Sequence, residues 1–516
     1  MNKPNLSLIP LFLFAATAAA TTRYVVPPGT PGVATAPGYT SWGTAATNIQ
    51  HAVDAAATDD LIFVTNGTYY LTSEISIAKK ITLRSFKDGA TDRDGTILDG
   101  NFPATSNRCL NVNFAGAVVD GFTITNGCPE PTSLSGNGGG IHLSNGIVTN
   151  CLIVSNRTLG GGGGIYLNDG GIVVDSTISG NVATNANNNY GGGIYFHRSG
   201  LVTNCLVKGN LANFGGGVYF NGLNGKGGLL IDSDVIANEC HVRASGQGQG
   251  GIGMYFKGFV THCNVVSNKL TVFKGSGYHA GVAVSYYAEV RDSYIAYNTG
   301  ASYGGGLQCA GGGSGPAFVT NCVVMHNQAN IGGGVYLGQQ GLLVDCTVVS
   351  NSSAAYVQGG TARNCLFSDN TSGVWNNKGF PGTYQNCTIA NNGGVGIQFS
   401  QPGYVENYIV YNNNSGGVNW SYDGTGSGST WTNSCTYPMP TGASVVGMET
   451  NAPRFMNAAL GDFSLRGSSP CIDKGVYRTW MASAKDRAGN PRIIGAAVDM
   501  GAFEAPLPPG TAIVVR

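Results

Sequence analysis

The sequence predicts an all-β fold, a right-handed parallel β-helix of about 12 stacked coils with a short N-terminal capping helix and a C-terminal cap region. Three observations lead to this prediction. A short apolar phrase recurs along the chain, an Asn follows each copy at a fixed distance, and a second, glycine-rich phrase opens most repeats. Internal repeats without helix-length inserts are typical of solenoids built from stacked strands.

The composition is consistent with such a solenoid and argues against two classes of binding partner. Of 516 residues, 81 are Gly and only 10% are charged. Lys and Arg together number 27, as do Asp and Glu, so the chain is neutral. A neutral chain lacks the electrostatic attraction on which binding to nucleic acid or to an anionic membrane depends, and neither is expected as a partner.

The N-terminus carries the pattern of an export signal in residues 1–20. Lys3 supplies a short basic region, residues 6–16 are apolar apart from Ser7 and Pro10, and a small-residue cleavage site ends at Ala20. No later segment is apolar for long enough to cross a bilayer. The mature protein is therefore expected outside the cell or at its outer surface, without a transmembrane segment.

Each copy of the apolar phrase can be aligned on one reference residue. The twelve reference residues are Gly121, Cys151, Ser176, Cys205, Ser233, Cys263, Ser293, Cys322, Cys346, Cys365, Cys387 and Tyr408. Five residues after them stand Asn126, Asn156, Asn181, Asn210, Asn238, Asn268, Asn298, Asn327, Asn351, Asn370, Asn392 and Asn413. The steps of 19 to 30 residues between copies give the length of one coil.

The apolar pattern within the phrase predicts a bend. The residues at offsets 0 and +2 from the reference residue are apolar and lie on one face of a strand. The residue at offset −3 is also apolar, but in a straight strand it would lie on the opposite face, because side chains alternate between the two faces. The chain must therefore turn a corner between −3 and 0. The Asn at +5 is predicted to close the next corner, because Asn tolerates a left-handed backbone, and to hydrogen-bond from coil to coil.

The glycine-rich phrase, Gly-Gly-Gly followed by alternating apolar residues, predicts a further strand with one face inward. Its middle residues, expected to point outward, are His142, Tyr166, Tyr195, Tyr219, Tyr255, Gln308 and Tyr336. Stacked coils would align the five tyrosines into an exposed stripe on which sugar rings could stack. The alternative interpretation is an aromatic ladder that only stabilises the fold.

Thirteen cysteines in an exported chain would suggest a disulfide framework. Seven of them share the reference position, namely Cys151, Cys205, Cys263, Cys322, Cys346, Cys365 and Cys387. The first three lie two coils apart, about 9.6 Å by strand spacing, whereas a disulfide needs Cα atoms within about 7 Å. Buried, reduced fillers are therefore predicted. The last four lie on adjacent coils, where a bond is possible but geometrically unfavoured.

One finer alternation concerns charge. The phrases alternate between Thr-Asn-Cys types and Asp-Ser types, which keeps Asp175, Asp232 and Asp292 off adjacent coils. Like charges one strand spacing apart would repel each other. Asn or His between them is expected to donate hydrogen bonds instead.

The ends of the chain differ from the repeats. Residues 46–57 are the one clear helix candidate, with Thr47 as its N-cap. The expected division is an export signal at 1–20, an N-terminal cap with the first strands at 21–100, coils at 101–413, a loop-rich region at 414–450 and a distinct C-terminal segment at 451–516.

Three stretches carry a family resemblance. Asn48-Ile-Gln-His-Ala-Val-Asp-Ala-Ala followed by Asp60-Leu-Ile-Phe-Val-Thr-Asn-Gly-Thr-Tyr resembles the opening of pectin-lyase-like β-helix proteins. The Gly-Gly-Gly-Ile and Cys-x-Val-x-x-Asn phrases are similar to those of polymorphic outer membrane and autotransporter passengers. Ser469-Pro-Cys-Ile-Asp-Lys-Gly, Asp486-Arg-Ala-Gly-Asn-Pro-Arg and Val498-Asp-Met-Gly-Ala-Phe-Glu resemble the "choice-of-anchor Q" domain that ends many bacterial surface β-helices.

The search for catalytic groups leaves two functions open. The motifs of β-helical hydrolases, Asn-Thr-Asp, Asp-Asp, Gly-His-Gly and Arg-x-Lys, are missing as a set. Arg291 or Lys257 could serve as the base of a lyase, and Asp92, Asp94 and Asp99 are spaced like a loose calcium loop. The first hypothesis is a non-catalytic, monomeric surface protein that presents an extended face for adhesion or for binding a polysaccharide or cell-surface glycan, without a required cofactor. The alternative is a lyase or glycoside hydrolase acting on an acidic polysaccharide.

Overall fold

A computed structural model describes residues 20–129, 136–184, 189–242, 248–272, 277–377, 379–414 and 417–506. The predicted export signal lies outside these ranges apart from Ala20. The described chain is a parallel β-helix with three long sheets, one short α-helix and a C-terminal segment docked on its side. The all-β solenoid predicted from the repeats is confirmed.

Most coils contribute one strand to each of three long parallel sheets, called sheets 1, 2 and 3. Sheet 1 contains Ile75–Ile77, Leu110–Val112, Ile141–Leu143, Ile165–Leu167, Ile194–Phe196, Val218–Phe220, Ile252–Met254, Val282–Val284, Leu307–Cys309, Val335–Gly338, Ala355–Gln358, Val374–Asn376, Ile397–Phe399 and Trp420–Tyr422. Sheet 2 contains Thr22–Val25, Leu61–Thr65, Thr82–Phe86, Val118–Asp120, Ile147–Thr149, Ile172–Val174, Leu201–Thr203, Gly228–Ile231, Gly258–Thr261, Glu289–Arg291, Ala317–Thr320, Gly341–Val344, Thr361–Arg363, Thr383–Gln385, Tyr404–Glu406, Thr430–Thr432 and Ser444–Val446. Sheet 3 contains Gly67–Tyr70, Thr96–Asp99, Thr123–Thr125, Leu152–Val154, Thr177–Ser179, Leu206–Lys208, Asp234–Ile236, Asn264–Val266, Tyr294–Ala296, Val323–Met325, Thr347–Val349, Leu366–Ser368, Thr388–Ala390, Ile409–Tyr411 and Cys435–Thr436.

Smaller elements flank the long sheets. A five-stranded parallel sheet outside the coils contains Arg157–Thr158, Val182–Ala183, Leu211–Ala212, Glu239–Val242 and Lys269–Val272. Gly248–Gln249 pairs with Gly277–His279, Ala301–Tyr303 with Ala329–Ile331, and Phe455–Asn457 with Asp462–Leu465. The 3-10 turns are Trp42–Thr44, Leu223–Gly225, Gly424–Gly428, Ala458–Leu460 and Thr479–Ala482.

The coils extend further than the Asn pattern predicts. Fourteen coils carry a strand in all three sheets. They include the first strands, which were expected within residues 21–100, and strands within residues 414–450, which were expected to be rich in loops. Gly67 and Ser434 occupy the reference position of two outer coils without an Asn at +5, whereas the coil of Thr96 was missed although Asn101 stands at +5. In the first predicted copy the register places Phe122, not Gly121, at the reference position.

The core is a continuous column of inward-facing side chains. The middle residue of each sheet 2 strand from Val148 to Leu343 has no exposed surface. Helix Ile49–Ala55 lies over the N-terminal end of this column and buries Ile49, Ala52 and Val53. Asn48, rather than the predicted Thr47, caps the helix, since its side chain accepts a hydrogen bond from the backbone N–H of Gln50 at 2.8 Å.

The corners of each coil are made by other residues than the predicted Asn. Left-handed backbone occurs one residue before the reference position, at Asn150, Asp175, Asn204, Asp232, His262, Asp292, Asn321, Asp345, Asn364, Asn386 and Asn407, with φ between 48° and 53°. It occurs again at +4, for example at Ser155, Ala237 and Tyr297. The Asn at +5 follows this corner and is buried instead, because its amide is used inside the solenoid.

The buried asparagines form one hydrogen-bonded ladder from Asn156 to Asn413. In each rung Oδ1 accepts from both the backbone N–H and the Nδ2 of the Asn one coil earlier. The ladder begins at the backbone N–H of Gly127 and ends at Asn419. It joins successive coils where the chain leaves sheet 3.

Cysteine and serine share the reference position for a physical reason. The Ser233 hydroxyl donates to the Ile231 carbonyl at 2.7 Å and accepts from the backbone N–H of Cys205 at 3.1 Å. The Cys263 thiol donates to the Thr261 carbonyl at 3.2 Å in the same way. All thirteen cysteines are free thiols, and the seven at the reference position are buried.

The C-terminal segment, residues 451–506, packs on the outer face of sheet 3 over the last coils. Phe455, Phe463 and Met500 contact Leu366 and Ile409 in a second hydrophobic cluster. Corner residues of the coils also donate to backbone carbonyls of this segment, as Asn364 does to Lys485 and Asn407 to Val476. The segment therefore belongs to the same folded body as the coils.

Candidate functional site

The outer face of sheet 1 carries the residues that were predicted to form an aromatic stripe. The strand register aligns His142, Tyr166, Tyr195, Tyr219, Gly253, Ala283, Gln308, Tyr336, Tyr356 and Trp375. Tyr255 does not belong to this row, because Gly253 pairs with Tyr219 and Tyr255 lies two residues further on. The row thus has two aromatic parts separated by three coils with Gly, Ala and Gln.

The first aromatic part is not the exposed stripe that was predicted. Tyr166, Tyr195 and Tyr219 are only 5%, 8% and 7% exposed. Tyr190 and Phe214, from the loops that precede the glycine-rich phrases, cover them, and the Tyr190 and Tyr219 ring centroids are 4.7 Å apart. This packing favours the alternative interpretation, an aromatic ladder that stabilises the coils.

Burial also sets the protonation of this layer. The His142 ring stacks on Tyr166 with centroids 5.1 Å apart, and burial lowers the pKa of His142 to about 4. Burial likewise raises the pKa of Tyr219. These side chains are therefore neutral near pH 7.

The interruption of the row opens a recess of about 210 Å³. Its lining consists of Tyr219, Gln249, Met254, Tyr255, Ser285, Tyr286, Gln308, Ala310 and Gly311. Tyr255 is 50% exposed, and its ring lies edge-on to Tyr286 with centroids 5.9 Å apart. The recess forms because the two coils after Tyr219 have the small residues Gly253 and Ala283 in the row instead of an aromatic side chain.

The chemistry of the recess is that of a binding site for a neutral polar ligand. Tyr255 and Tyr286 offer aromatic surface, while Gln308 and Ser285 offer amide and hydroxyl groups that both donate and accept hydrogen bonds. None of the described lining residues carries a carboxylate, an imidazole or a cation. The recess therefore has groups that hold and orient a ligand but none suited to proton transfer near pH 7.

A second feature is the polar row at the corner between sheets 2 and 3. Asn204 Nδ2 donates to Asp175 Oδ1 at 2.6 Å, and Asn321 Nδ2 donates to Asp292 Oδ1 at 2.8 Å. The charge spacing predicted from the alternating phrases is present, since no two of these carboxylates lie on adjacent coils.

His262 lies between two of these carboxylates. Its Nδ1 is 3.6 Å from Asp232 Oδ1, and its Nε2 is 3.8 Å from Asp292 Oδ2. An open groove of about 370 Å³ beside them also contacts Asp234 and Asn264. At this groove the imidazole of His262 is therefore close to the carboxylates of Asp232 and Asp292.

Three of the other candidate residues from the sequence have structural partners. Arg291 pairs with Glu289 at 2.5 Å rather than with Asp292. Asp92 accepts from Asn66 Nδ2 at 2.7 Å, and Asp99 accepts from the N–H of Asn101 and from Asn126 Nδ2. Within the described ranges no three His, Cys, Asp or Glu side chains are grouped to hold a metal ion.

Some site residues were missed by the sequence pattern. Tyr286 lies in a turn and Gln249 in the short strand Gly248–Gln249 outside the three long sheets, and neither position belongs to the repeated pattern. Tyr356 and Trp375 continue the aromatic row, but their coils lack the Gly-Gly-Gly phrase that marked the others. A search for aromatic residues five and six coils beyond Tyr219 could have found both.

Comparison with known proteins agrees on the fold. Residues 305–452 match the family described as "Right handed beta helix region", which gives the hand of the coil. No curated protein matches the sequence. The matched residues end before the distinct C-terminal segment, so its resemblance to a choice-of-anchor domain stays a prediction.

Several solved structures resemble the chain at low identity. A pectate lyase is 14% identical and covers 95% of this chain and 98% of its own, with a TM-score of 0.28. An alginate lyase is 11% identical, with coverages of 87% and 91% and a TM-score of 0.35. An alpha-1,3-glucanase from Streptomyces thermodiastaticus is 11% identical, with coverages of 84% and 68% and a TM-score of 0.36. Such distant likenesses concern the fold alone. Of the helices in the described ranges, none is long and apolar enough to span a membrane.

Proposed function

We propose that this protein is an exported β-helix that binds a polysaccharide or cell-surface glycan in the recess between Tyr219 and Gln308. The observation that carries the proposal is the break in the aromatic row, which turns a packed ladder into a concave site. Concave sites with aromatic walls and a few convergent polar groups are the usual form of small-ligand pockets. An uncharged site of this kind suits a neutral stretch of glycan.

Two properties of a sugar ring fit this lining. Its C–H face can pack on the electron-rich face of Tyr255 or Tyr286. Its hydroxyls can exchange hydrogen bonds with Gln308 and Ser285, which act as donors and acceptors at once. Since the recess opens on the outer face of sheet 1, a chain longer than the recess can continue over Tyr336 along the coils.

Export and attachment complete the proposal. The basic and apolar pattern of residues 1–20 supports secretion. The resemblance of residues 451–516 to surface-protein ends supports a location at the outer cell surface. No cofactor enters the binding step, which needs only the side chains of the recess.

Binding to a panel of immobilised neutral, uronic-acid and sulfated polysaccharides tests the proposal. We expect a neutral glycan to bind, and Tyr255→Ala or Gln308→Ala to weaken it about tenfold through loss of a ring contact or of hydrogen bonds. The matched control is Tyr404→Ala, which removes a tyrosine 55% exposed on sheet 2. Unchanged affinity in both recess variants would refute the proposal.

A second candidate function is cleavage of a polysaccharide at the groove beside His262. The favouring observation is the pair Asp232 and Asp292, two coils apart, with His262 between them. Strand spacing puts their backbones about 9.6 Å apart, close to the carboxylate separation of inverting glycosidases. Release of reducing or unsaturated ends that Asp232→Asn abolishes and Asp175→Asn leaves intact would support it. No release from any polysaccharide of the panel would exclude it.

A further inference from the structure

The outer face of sheet 2 carries two parallel rows of side chains over eight successive coils. Row 1 consists of Ile147, Ile172, Leu201, Leu229, Phe259, Glu289, Phe318 and Leu342. Row 2 consists of Thr149, Val174, Thr203, Ile231, Thr261, Arg291, Thr320 and Val344. Every one of these side chains is at least partly exposed, and Leu229 is 39% exposed.

Row 1 is apolar on seven of the eight coils, and on the same seven coils row 2 holds either Thr or an aliphatic side chain. Eight rungs at strand spacing make the face about 34 Å long, and a three-residue strand makes it about 10 Å wide. Exposed apolar patches of a few hundred Å² on a soluble protein commonly mark an interaction surface. The pairing of Arg291 with Glu289 is its one charged interruption.

The two rows are complementary to each other in size. In six of the seven coils without charges, the row 1 side chain is larger than its row 2 neighbour. Examples are Phe259 beside Thr261 and Phe318 beside Thr320. The exception is Leu229, which is about as large as Ile231. A two-fold axis parallel to the solenoid axis would place row 1 of one molecule against row 2 of another, coil by coil. Large side chains would then meet small ones along the whole contact.

The same operation matches the charges. Glu289 of one molecule would face Arg291 of the other, and this would happen twice because the contact is isologous. A two-fold axis along the strand direction would instead place row 1 against row 1, so that large side chains meet large ones and Glu289 does not face Arg291. Only the side-by-side arrangement with both solenoids pointing the same way satisfies size and charge together.

We propose that a second copy of this chain docks on sheet 2 in this arrangement. The inference goes beyond glycan binding and departs from the monomer expected from the sequence. The face offers about 340 Å² of flat area per copy, below the standard interface size, so the dimer is weak and reversible. Its recesses on sheet 1 stay open, which would give the dimer two glycan sites.

Sedimentation equilibrium from sub-micromolar to several hundred micromolar protein tests the dimer. We expect the wild type to dimerise, and Arg291→Glu to weaken dimerisation by about tenfold or more, because four carboxylates then meet across the contact. The double variant Glu289→Arg/Arg291→Glu restores the match and should dimerise nearly as the wild type does. Because the Glu289–Arg291 pair is exposed, both variants are expected to fold, which circular dichroism would verify.

A second pair of variants tests the apolar contact. Leu229→Lys places a charge in the middle of the face and should weaken dimerisation, whereas Thr383→Lys lies in the same row of sheet 2 beyond the face and should not. A wild-type protein that is monomeric at every concentration would overturn the proposal. So would equal behaviour of the single and double charge variants, or binding of neutral lipid vesicles without self-association.

Discussion

Asn298 accepts two hydrogen bonds from Asn268 at one atom. The backbone N–H of Asn268 donates to Asn298 Oδ1 at 2.9 Å, and Asn268 Nδ2 donates to the same oxygen at 3.0 Å. Asn268 Nδ2 also donates to the Val235 carbonyl at 2.9 Å. Both asparagines are fully buried, so every donor and acceptor in the rung depends on its neighbours.

Replacement of Asn268 by Ala is expected to destabilise the solenoid strongly. The change leaves the Val235 carbonyl and both donors of Asn238 without the partner they have in the ladder. At 1 to 3 kcal/mol for each buried unsatisfied group, the loss should reach about 4 kcal/mol. Urea unfolding followed by circular dichroism measures it.

The control for this experiment lies in the same coil. Asn264 is exposed on sheet 3, where its Nδ2 donates to Asp234 at 2.7 Å. Asn264→Ala should cost less than about 1 kcal/mol, because water replaces the lost contact. Equal losses in the two variants would mean that the ladder has no special part in stability.

The reference position should accept Ser in place of Cys but not a larger side chain. Ser233 and Ser293 already occupy it on the coils next to Cys263, and they make the same hydrogen bond to the carbonyl two residues earlier. Cys263→Ser is therefore expected to change the free energy of unfolding by about 1 kcal/mol or less. Cys263→Leu overfills the column and should cost about 2 kcal/mol. Thermal unfolding of both variants ranks them, and a tolerated Leu would show that the column is loosely packed.

The fold could be predicted from the sequence because every coil of a periodic structure requires the same residue types at the same positions. The inward position of each strand and the Asn at +5 recur in coil after coil, so a single chain aligns on itself. The bend before the reference residue was predicted correctly, but the next corner lies at +4 and not at the Asn at +5, since left-handed backbone is possible for Ser155 or Ala237 as well as for Asn. The strain of that backbone is small enough for the stacked sheets to impose it.

The candidate site could be predicted only in part. Outward alternation placed Tyr166 and Tyr195 on the correct face of sheet 1, but exposure depends on what covers that face. Tyr190 and Phe214 come from loops whose length varies between coils, so no repeat reveals where they pack. The recess itself is an irregularity of the pattern, produced by the small side chains at Gly253 and Ala283.

Acidification should destabilise the outer layer of sheet 1. Burial lowers the pKa of His142 to about 4 and that of His279 to about 3, from an ordinary value near 6.5. Since both folded-state pKa values are depressed, the stability they contribute is present above pH 6.5 and is lost as the pH falls through about 4 and 3. The melting temperature is expected to fall across that window.

A His142→Tyr variant tests the origin of this acid sensitivity. Tyr fits the row, since Tyr166 and Tyr195 occupy the next two coils, and it does not titrate in acid. The variant should lose less of its melting temperature between pH 6.5 and 4 than the wild type does. His51→Tyr, on the exposed face of the capping helix, is the control and should follow the wild type. If the melting temperatures of all three proteins fall equally with pH, the acid effect comes from groups other than His142.

The C-terminal segment should depend on one buried arginine. Arg492 has no exposed surface, its Nη1 lies 3.3 Å from Glu504 Oε1, and its Nη2 donates to the carbonyls of Asp499 and Gly501. Arg492→Met removes the cation and leaves two carbonyls and the buried carboxyl groups without it. The loss should be about 3 to 5 kcal/mol, visible as faster proteolysis of residues 451–506.

The control for this buried arginine is Arg478, which bonds Glu406 at the surface of the same segment. Arg478→Met should cost about 1 kcal/mol or less, because that pair is exposed to water. Equal proteolysis rates in the two variants would contradict a special contribution of Arg492.

Alkaline pH should loosen the same segment through Glu504. Burial raises the pKa of Glu504 from 4.5 to about 8, even though Arg492 opposes the shift. A raised folded-state pKa means that the stability from this group is full below pH 4.5 and is lost as the pH rises through about 8. Glu504→Gln keeps the shape and cannot ionise, so its proteolysis rate should stay constant between pH 6 and 9 while that of the wild type rises. A rise of the same size in Glu504→Gln would show that the alkaline loosening comes from another group.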